Sequence, residues 1–475
     1  MTGFVGRQQE LRELAACFDV VRQGGRADAG VAVMLRGRRR VGKSRLATEL
    51  LRRLGVPAVY FQAARSAPQR EELSLFAQAI ATSELPNAFL AEGNTPGTLT
   101  AALRLLAAAL PTDVPSVVVI DELPWLLEGM PGGAGELQRV WDQELSRRPV
   151  LLLLLGSDLS MMEALMRHDQ PFHGRATEML LRALTPHDVA TMTGLTGAAA
   201  FDAFLITGGA PLIAQEWKPG LSPEEFVQAS FQRSTSALVV AGGRALESEF
   251  PPESHARAVL SAIGGKGERV RAGILNSLHG TLSAASFDRA LELLLHKRMV
   301  AYDEPLSTRA ALKDRRWRVA DPSLRFWLAF VAPAIAEVDR GRPDLAFARF
   351  QAGYTSWRGR AVEPVVREAL SRLLPDERWP EVSRIGGWWP RNNNPEIDLV
   401  GTDKSPGTTV GFVGTIKWRE HEPLGLADVH ALQRGAARVP GVDEHTPMVG
   451  VCPLGGEVAE LAQVWDADQL LEAWR

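Results

Sequence analysis

The sequence predicts an α/β fold built on a parallel sheet over residues 1–183, and three observations carry that expectation. Short continuous apolar runs alternate with amphipathic helical stretches. The first of these runs leads directly into a glycine-rich loop that opens a helix, and a later run ends in two adjacent carboxylates. Strands covered on both faces read as unbroken apolar runs rather than alternating ones. Val31–Leu35, Ala58–Gln62, Ser116–Ile120, Val150–Leu155 and Met179–Leu181 fit that description. The helix Ser44–Leu54 sets Leu46, Ala47, Leu50, Leu51 and Leu54 on one stripe, the face that would lie on the sheet.

Composition narrows the function classes. A chain of 475 residues has room for two to four domains, at roughly 100–200 residues each. Apolar residues make up 45% and charged residues 23%, close to the globular average, which argues against wholesale disorder. Lys+Arg 53 against Asp+Glu 56 leaves a net charge of −3, so a uniformly basic nucleic-acid coat is excluded while a local basic face is not. Arginine supplies most of the basic residues, which a GC-rich coding sequence explains more readily than anion recognition does. Cys17 and Cys452 sit near opposite ends and form neither a metal-ligand spacing nor a disulfide framework, which suits a reducing, cytoplasmic setting. Phe4-Val5-Gly6-Arg7 follows no secretory pattern. The apolar run Val150 to Leu155 falls far short of the ~20 residues a membrane helix requires, so no membrane partner is expected.

Gly37-Arg38-Arg39-Arg40-Val41-Gly42-Lys43-Ser44 matches G-x-x-x-x-G-K-[ST] between a predicted strand and a predicted helix, the context that motif demands. Its glycines let backbone N–H groups curl around phosphates, and the helix N-terminus adds positive potential. Lys43 would reach the β- and γ-phosphates, Ser44 would ligate Mg²⁺, and the binding segment runs on to Arg45. Val117-Val118-Val119-Ile120-Asp121-Glu122 supplies the second half of an ATP site. Asp121 would hold Mg²⁺ through water, and Glu122 would act as general base on the attacking water. Either motif alone has a bland reading, but the pair points to a P-loop NTPase of ASCE/AAA+-like type. Ser157, after the strand Val150–Leu155, is the candidate γ-phosphate sensor. Arg175 could be an arginine finger, in cis or from a neighbouring subunit, or an ordinary surface arginine. Arg7 could border the nucleotide base and Gly208-Gly209-Ala210-Pro211 the lid, or both could be plain capping and turn residues.

Phe4-Val5-Gly6-Arg7, the phosphate loop, Asp121-Glu122-Leu123-Pro124-Trp125, Gly156-Ser157 and Gly208-Gly209-Ala210-Pro211 together resemble the predominantly archaeal ATPase family. That family is similar to AAA+ and STAND signalling ATPases and occurs in bacteria as well. The resemblance covers nearly the whole chain. It implies a winged helix and a C-terminal α/β domain resembling PD-(D/E)xK restriction endonucleases. The expected organisation is an ATPase core at 1–183, a helical lid at 184–250, a winged helix-turn-helix at 251–335 and the nuclease-like domain at 340–475.

In the winged-helix region, His255–Ile263, Val270–Ser277 and Ser283–Leu295 read as helices, the third capped by Ser283. Met299–Tyr302 and Trp317–Val319 would form the wing, with Arg315, Arg316 and Arg318 nearby. Ser283, Ala284, Ser286 and Arg289 offer little basic surface, so contact with DNA and packing between lid and effector both stand. The aromatics of Asp321-Pro322-Ser323-Leu324-Arg325-Phe326-Trp327 read as core anchors. Further on, Glu363 would supply the helix acid of a nuclease site, Asp398 the strand acid and Lys417 the lysine. Thr415 stands where a second metal-binding carboxylate belongs, and a hydroxyl is a far weaker Mg²⁺ ligand. Glu396, two residues before Asp398 and on the same face of a continuous strand, could replace it. Trp388 and Trp389 beside Pro390-Arg391-Asn392-Asn393-Asn394 could form an aromatic contact surface or a packed turn.

The leading expectation is a Mg²⁺-dependent ATPase of AAA+/STAND type. It would couple ATP and ADP states to a winged helix and a degenerate nuclease-like module that grips DNA or a protein partner. Two alternatives stand beside it: an ATP-gated, metal-dependent DNA endonuclease and a non-hydrolysing nucleotide switch. Oligomerisation would be needed if Arg175 acts between subunits.

Overall fold

The computed structural model describes residues 4–24, 30–168, 170, 172–251, 253–310 and 315–475. The chain divides into two compact units, Met1–Ala183 and Leu184–Arg475.

The first unit is a parallel five-stranded sheet with helices on both faces. In chain order it runs α1 (Gln8–Arg22), β1 (Val31–Arg36), α2 (Lys43–Leu54), β2 (Ala58–Gln62), α3 (Gln69–Ala81), α4 (Leu99–Ala109) and β3 (Ser116–Asp121). It closes with α5 (Leu123–Glu128), α6 (Gly133–Gln143), β4 (Val150–Gly156), α7 (Leu159–Met166) and β5 (Ala176–Leu180). The strand order is β2-β3-β4-β1-β5, so β4 is inserted between the strand before the glycine loop and the strand that ends in Asp121. Register aligns their C-terminal ends, pairing Arg36 with Gly156 and Gln62 with Asp121.

Each strand alternates its side chains between two cores. Val33, Leu35, Val119, Leu153 and Leu155 meet Leu14 and Phe18 of α1 and Leu46 and Leu50 of α2. Met34, Phe61, Ile120, Leu152 and Leu154 meet Phe76 of α3, Leu103 and Leu106 of α4 and Trp141 of α6. Full burial of each such side chain stabilises the fold by roughly 1.5–3 kcal/mol. A charge placed at Val119 would therefore break the face that carries α2.

The second unit begins with α8 (Pro186–Thr193), α9 (Gly197–Thr207), α10 (Pro211–Ala214), α11 (Pro223–Phe231) and α12 (Ala237–Glu249). Capping boxes at Thr185/Asp188 and Ser222/Glu225 start α8 and α11. Next come α13 (His255–Ile263), β6 (Arg269–Val270), α14 (Arg271–Ser277), α15 (Ala284–His296), β7 (Val300–Asp303) and β8 (Arg316–Val319). The three strands form an antiparallel sheet in the order β6-β8-β7. The sequence suggests only the latter two, because a two-residue strand carries no periodicity to read. Ser283 caps α15 by accepting from the Ser286 N–H.

The remainder comprises α16 (Pro322–Phe326), α17 (Ile335–Asp339), α18 (Pro343–Leu373), β9 (Arg384–Trp388), β10 (Ile397–Thr402), β11 (Val410–Ile416), α19 (Leu426–Ala436), β12 (Met448–Val451), β13 (Gln463–Trp465) and α20 (Ala467–Leu471). Its mixed sheet has the order β13-β12-β11-β10-β9, antiparallel from β9 to β11 and parallel from β11 to β13.

One hydrophobic core runs through this unit from Leu184 to Leu471, so the segments 184–250, 251–335 and 340–475 share buried residues. Two sequence motifs meet inside it. Gly208 has φ +60, and a Cβ there would lie 2.0 Å from the Ser323 nitrogen, so only glycine lets this turn abut the start of α16. Trp327 packs flat against Gly242, and its indole N–H donates to the Val239 carbonyl at 2.8 Å. Among the described residues, no single helix is long and apolar enough to cross a membrane.

Candidate functional site

The glycine loop joins β1 to α2 at the C-terminal edge of the parallel sheet, where ligands of open α/β sheets bind. A Cβ on Gly37 would sit 2.6 Å from the Leu181 carbonyl, and Arg40 and Gly42 adopt φ 67 and φ 98 to complete the turn. Lys43 Nζ folds back over the loop, donating to the carbonyls of Gly37 at 2.8 Å and Arg38 at 3.2 Å. Burial pulls its pKa down, opposed by Glu122 and Asp121 and assisted by Arg39. An ammonium held by carbonyls and 6% exposed is a cation arranged to receive an anion. Arg39 lies over the Trp125 ring at 5.2 Å, and Arg45 is exposed on the first turn of α2.

Asp121 is 1% exposed, and its carboxylate is fully oriented. The Ser44 hydroxyl and the Tyr60 hydroxyl each donate to its Oδ2 at 2.6 Å, while the Glu122 N–H donates to Oδ1 at 3.0 Å. Burial and the Asp121 hydrogen bond push the Tyr60 phenol well above its ordinary range. Tyr60 was not legible as a site residue, because a tyrosine within an apolar strand reads as packing. Glu122 is a non-glycine residue at φ 57, ψ 46, a conformation that costs energy and concentrates at functional sites. Its Oε2 accepts from the Ser157 hydroxyl at 2.8 Å and from the Ser157 N–H at 3.2 Å. Insertion of β4 beside β3 is what brings this pair together.

Arg7 is 6% exposed and braces the loop: it donates to the carbonyls of Val41 at 3.1 Å and Arg182 at 2.6 Å, and pairs with Glu10 at 3.0 Å. It also occupies the cap position of α1, where its side chain makes no capping hydrogen bond. Arg175 pairs in bidentate fashion with Asp142 of α6, at 2.8 and 2.9 Å. A finger role requires that pair to open.

The C-terminal acids gather around guanidinium groups. Arg367, one turn along α18 from Glu363, donates to the Glu363 carboxylate and to the Asp398 carbonyl, both at 3.0 Å. Asp398 Oδ2 accepts from the Thr415 hydroxyl at 2.9 Å and the Ile416 N–H at 2.8 Å, with Lys417 Nζ 4.0 Å away. Burial pushes Glu363 up to about 8, against the pull of Arg367 and with help from Asp398, Glu268 and Glu396.

Glu396 lies one residue before β10, and Arg316 of β8 pairs with its carboxylate while donating to Asn393 Oδ1 at 3.0 Å. Glu268, Glu363 and Glu396 share a cavity of about 440 Å³ with Arg269, Arg316 and Arg360. Among the described residues, no group of three or more His, Cys, Asp or Glu is arranged to hold a metal ion. Trp388 and Trp389 are buried, the latter beneath Arg316 at 4.1 Å, so they form no contact surface. The arginines at β8 are likewise engaged: Arg315 with Glu304 at 2.6 Å, and Arg318 with Asp303 at 2.9 Å.

Comparison with protein families matches residues 3–130 to AAA ATPase domains and residues 327–430 to a family described as archaeal and bacterial proteins of unknown function. No curated protein matches the chain. Among solved structures, the chain is similar to a Walker-type ATPase of Pyrococcus abyssi, at 19% identity over 68% of this chain and 96% of that one, with TM-score 0.49. It is also similar to the Aeropyrum pernix ORC2 protein, at 16% identity over 73% and 95%, TM-score 0.45. The Holliday junction branch migration motor of Thermotoga maritima gives 15% identity over 63% and 90%, TM-score 0.31. The chain therefore carries an AAA-type ATPase domain on a parallel-sheet P-loop fold, followed by a second domain with its own C-terminal sheet.

Proposed function

We propose that the chain is a Mg²⁺-dependent ATPase of AAA+/STAND type whose nucleotide state governs a non-cutting effector module. The observation that carries this reading is the shared edge of β1, β3 and β4, which collects Lys43, Ser44, Asp121, Glu122 and Ser157. The loop suits a triphosphate because its lysine is buried against carbonyls, and the Ser44–Asp121 oxygens suit a hard divalent cation. The loop from Gly37 to Arg45 would hold the phosphates, with Lys43 at the β- and γ-positions and Ser44 and Asp121 on Mg²⁺. A bound Mg²⁺ would neutralise phosphate charge. Glu122 would take the proton of the attacking water, and Ser157 would set the carboxylate's position. Arg175 would complete the site if released from Asp142, from the same chain or a neighbour.

The winged-helix arrangement of α13–α15 with β6–β8 serves best as a packing module, since Arg315, Arg316 and Arg318 each face an acid. The α18 and β9–β13 domain is read as a degenerate nuclease fold, with guanidinium charge where a cutting enzyme would bind metal. It would grip DNA or a protein partner without cleaving it.

Calorimetry with ATP and Mg²⁺ tests the core of this reading. The unaltered chain should bind, and Lys43→Ala should weaken binding by at least tenfold, the cost of about 1.4 kcal/mol. Equal binding by both proteins would refute the assignment of the loop.

A further inference from the structure

Asp121 has a second side-chain partner that the phosphate-site motifs do not include. We propose that Tyr60 is a positioning residue for the metal-binding carboxylate, an inference that rests on the ATPase reading above. Its hydroxyl reaches Asp121 Oδ2 at 2.6 Å from the neighbouring edge strand β2. The reach follows from register: Gln62 pairs with Asp121, so Tyr60 starts two residues back on the same face, and the length of a phenol spans the gap. The ring is half-buried beside Val119 and Ala58 in the core that carries α2, which holds it in that direction.

The lone-pair count gives Tyr60 its role. A carboxylate oxygen accepts two hydrogen bonds in its plane. Oδ2 now accepts from Ser44 and Tyr60, and Oδ1 from the Glu122 N–H. If Ser44 gave its oxygen to a cation, Oδ2 would keep Tyr60 and Oδ1 would keep the Glu122 N–H. Each oxygen would then have one donor from the protein and one lone pair left for water held by the cation. Without the phenol, and with Ser44 on a cation, Oδ2 would have no protein donor and the carboxylate plane would be set from the Oδ1 side alone. Partners of this outer kind are typically worth about 10–100-fold in metal affinity.

The test is Tyr60→Phe, which removes one oxygen and keeps the ring in its core. Mn²⁺ binding to the protein with a non-hydrolysable ATP analogue is read by electron paramagnetic resonance. Nucleotide binding in excess EDTA and the unfolding midpoint are measured alongside. The expected result is metal binding weakened about 10–100-fold, with metal-free nucleotide binding and the midpoint unchanged. In an Asp121→Asn background, the same substitution should add less than about twofold. Unchanged Mn²⁺ affinity in Tyr60→Phe overturns the assignment, as does an equal loss in metal-free nucleotide binding, which would mark a merely structural role. Absence of nucleotide binding by the unaltered chain would instead sink the ATPase reading itself, and this inference with it.

Discussion

Replacing Glu122 by Gln separates the chemistry of its carboxylate from its geometry. The amide oxygen of Gln can still accept from the Ser157 hydroxyl and N–H, which now lie 2.8 and 3.2 Å from Glu122 Oε2. The backbone at φ 57 is unaltered. Binding of ATP should therefore persist. Loss of a general base costs about 10²–10⁴ in rate, so single-turnover hydrolysis at saturating Mg²⁺–ATP should fall by that factor. Ser157→Ala removes one of the two hydrogen bonds to the carboxylate. A hydrogen bond to a charged group is worth about 1.5–3 kcal/mol, and the surviving N–H places the effect at the low end, roughly a tenfold loss. The double variant decides how Ser157 works. If it acts by holding Glu122, then Ser157→Ala in the Glu122→Gln background should cost less than about threefold further, since the carboxylate it orients is gone. A full tenfold loss in both backgrounds would refute that coupling and place Ser157 on the γ-phosphate independently of Glu122.

Two further outcomes follow from the second unit. Supercoiled plasmid incubated with the protein and Mg²⁺ or Mn²⁺ should remain uncut, because Arg367 and Arg316 occupy Glu363 and Glu396; nicking that Asp398→Ala abolishes would overturn the degenerate reading. Asp202 of α9 is buried beside Arg358 of α18 at 3.1 Å, and burial pushes its pKa up to about 6. A carboxyl raised in the folded state contributes stability that is fully present below its unfolded value of 3.8 and is lost as pH rises through about 6. At about 1.4 kcal/mol per unit, the change is roughly 3 kcal/mol. Urea midpoints followed by tryptophan fluorescence between pH 4 and pH 7 should show this decline in the parent and a flatter profile in Asp202→Asn; parallel profiles would show that Asp202 is not the group responsible.

The phosphate loop, the Asp121-Glu122 pair and the strands that carry them were legible in the sequence. Each rests on short-range physics: glycine dihedrals, a helix N-terminus, an apolar run buried on both faces. The helices α13 and α15 were legible for the same reason, through apolar spacing and a serine cap. What could not be read was which distant group each side chain meets. For Glu396 the spacing to Asp398 could be read, but not that Arg316, 80 residues earlier in the chain, pairs with its carboxylate. For Trp388 and Trp389 the sequence left a contact surface and a packed turn both open, and the fold buries both indoles.

The sequence by itself determined where the glycine loop and the acidic strand lie, because those patterns are set by residues within a few positions of one another. Tertiary structure alone decided that Tyr60 and Ser44 share one oxygen of Asp121, that Ser157 holds Glu122, and that Gly208 fits against Ser323. The physical reason is strand order and register. Residues tens to more than a hundred positions apart become neighbours only when β2, β3 and β4 align or two turns close on each other, and no local pattern records which partner will arrive.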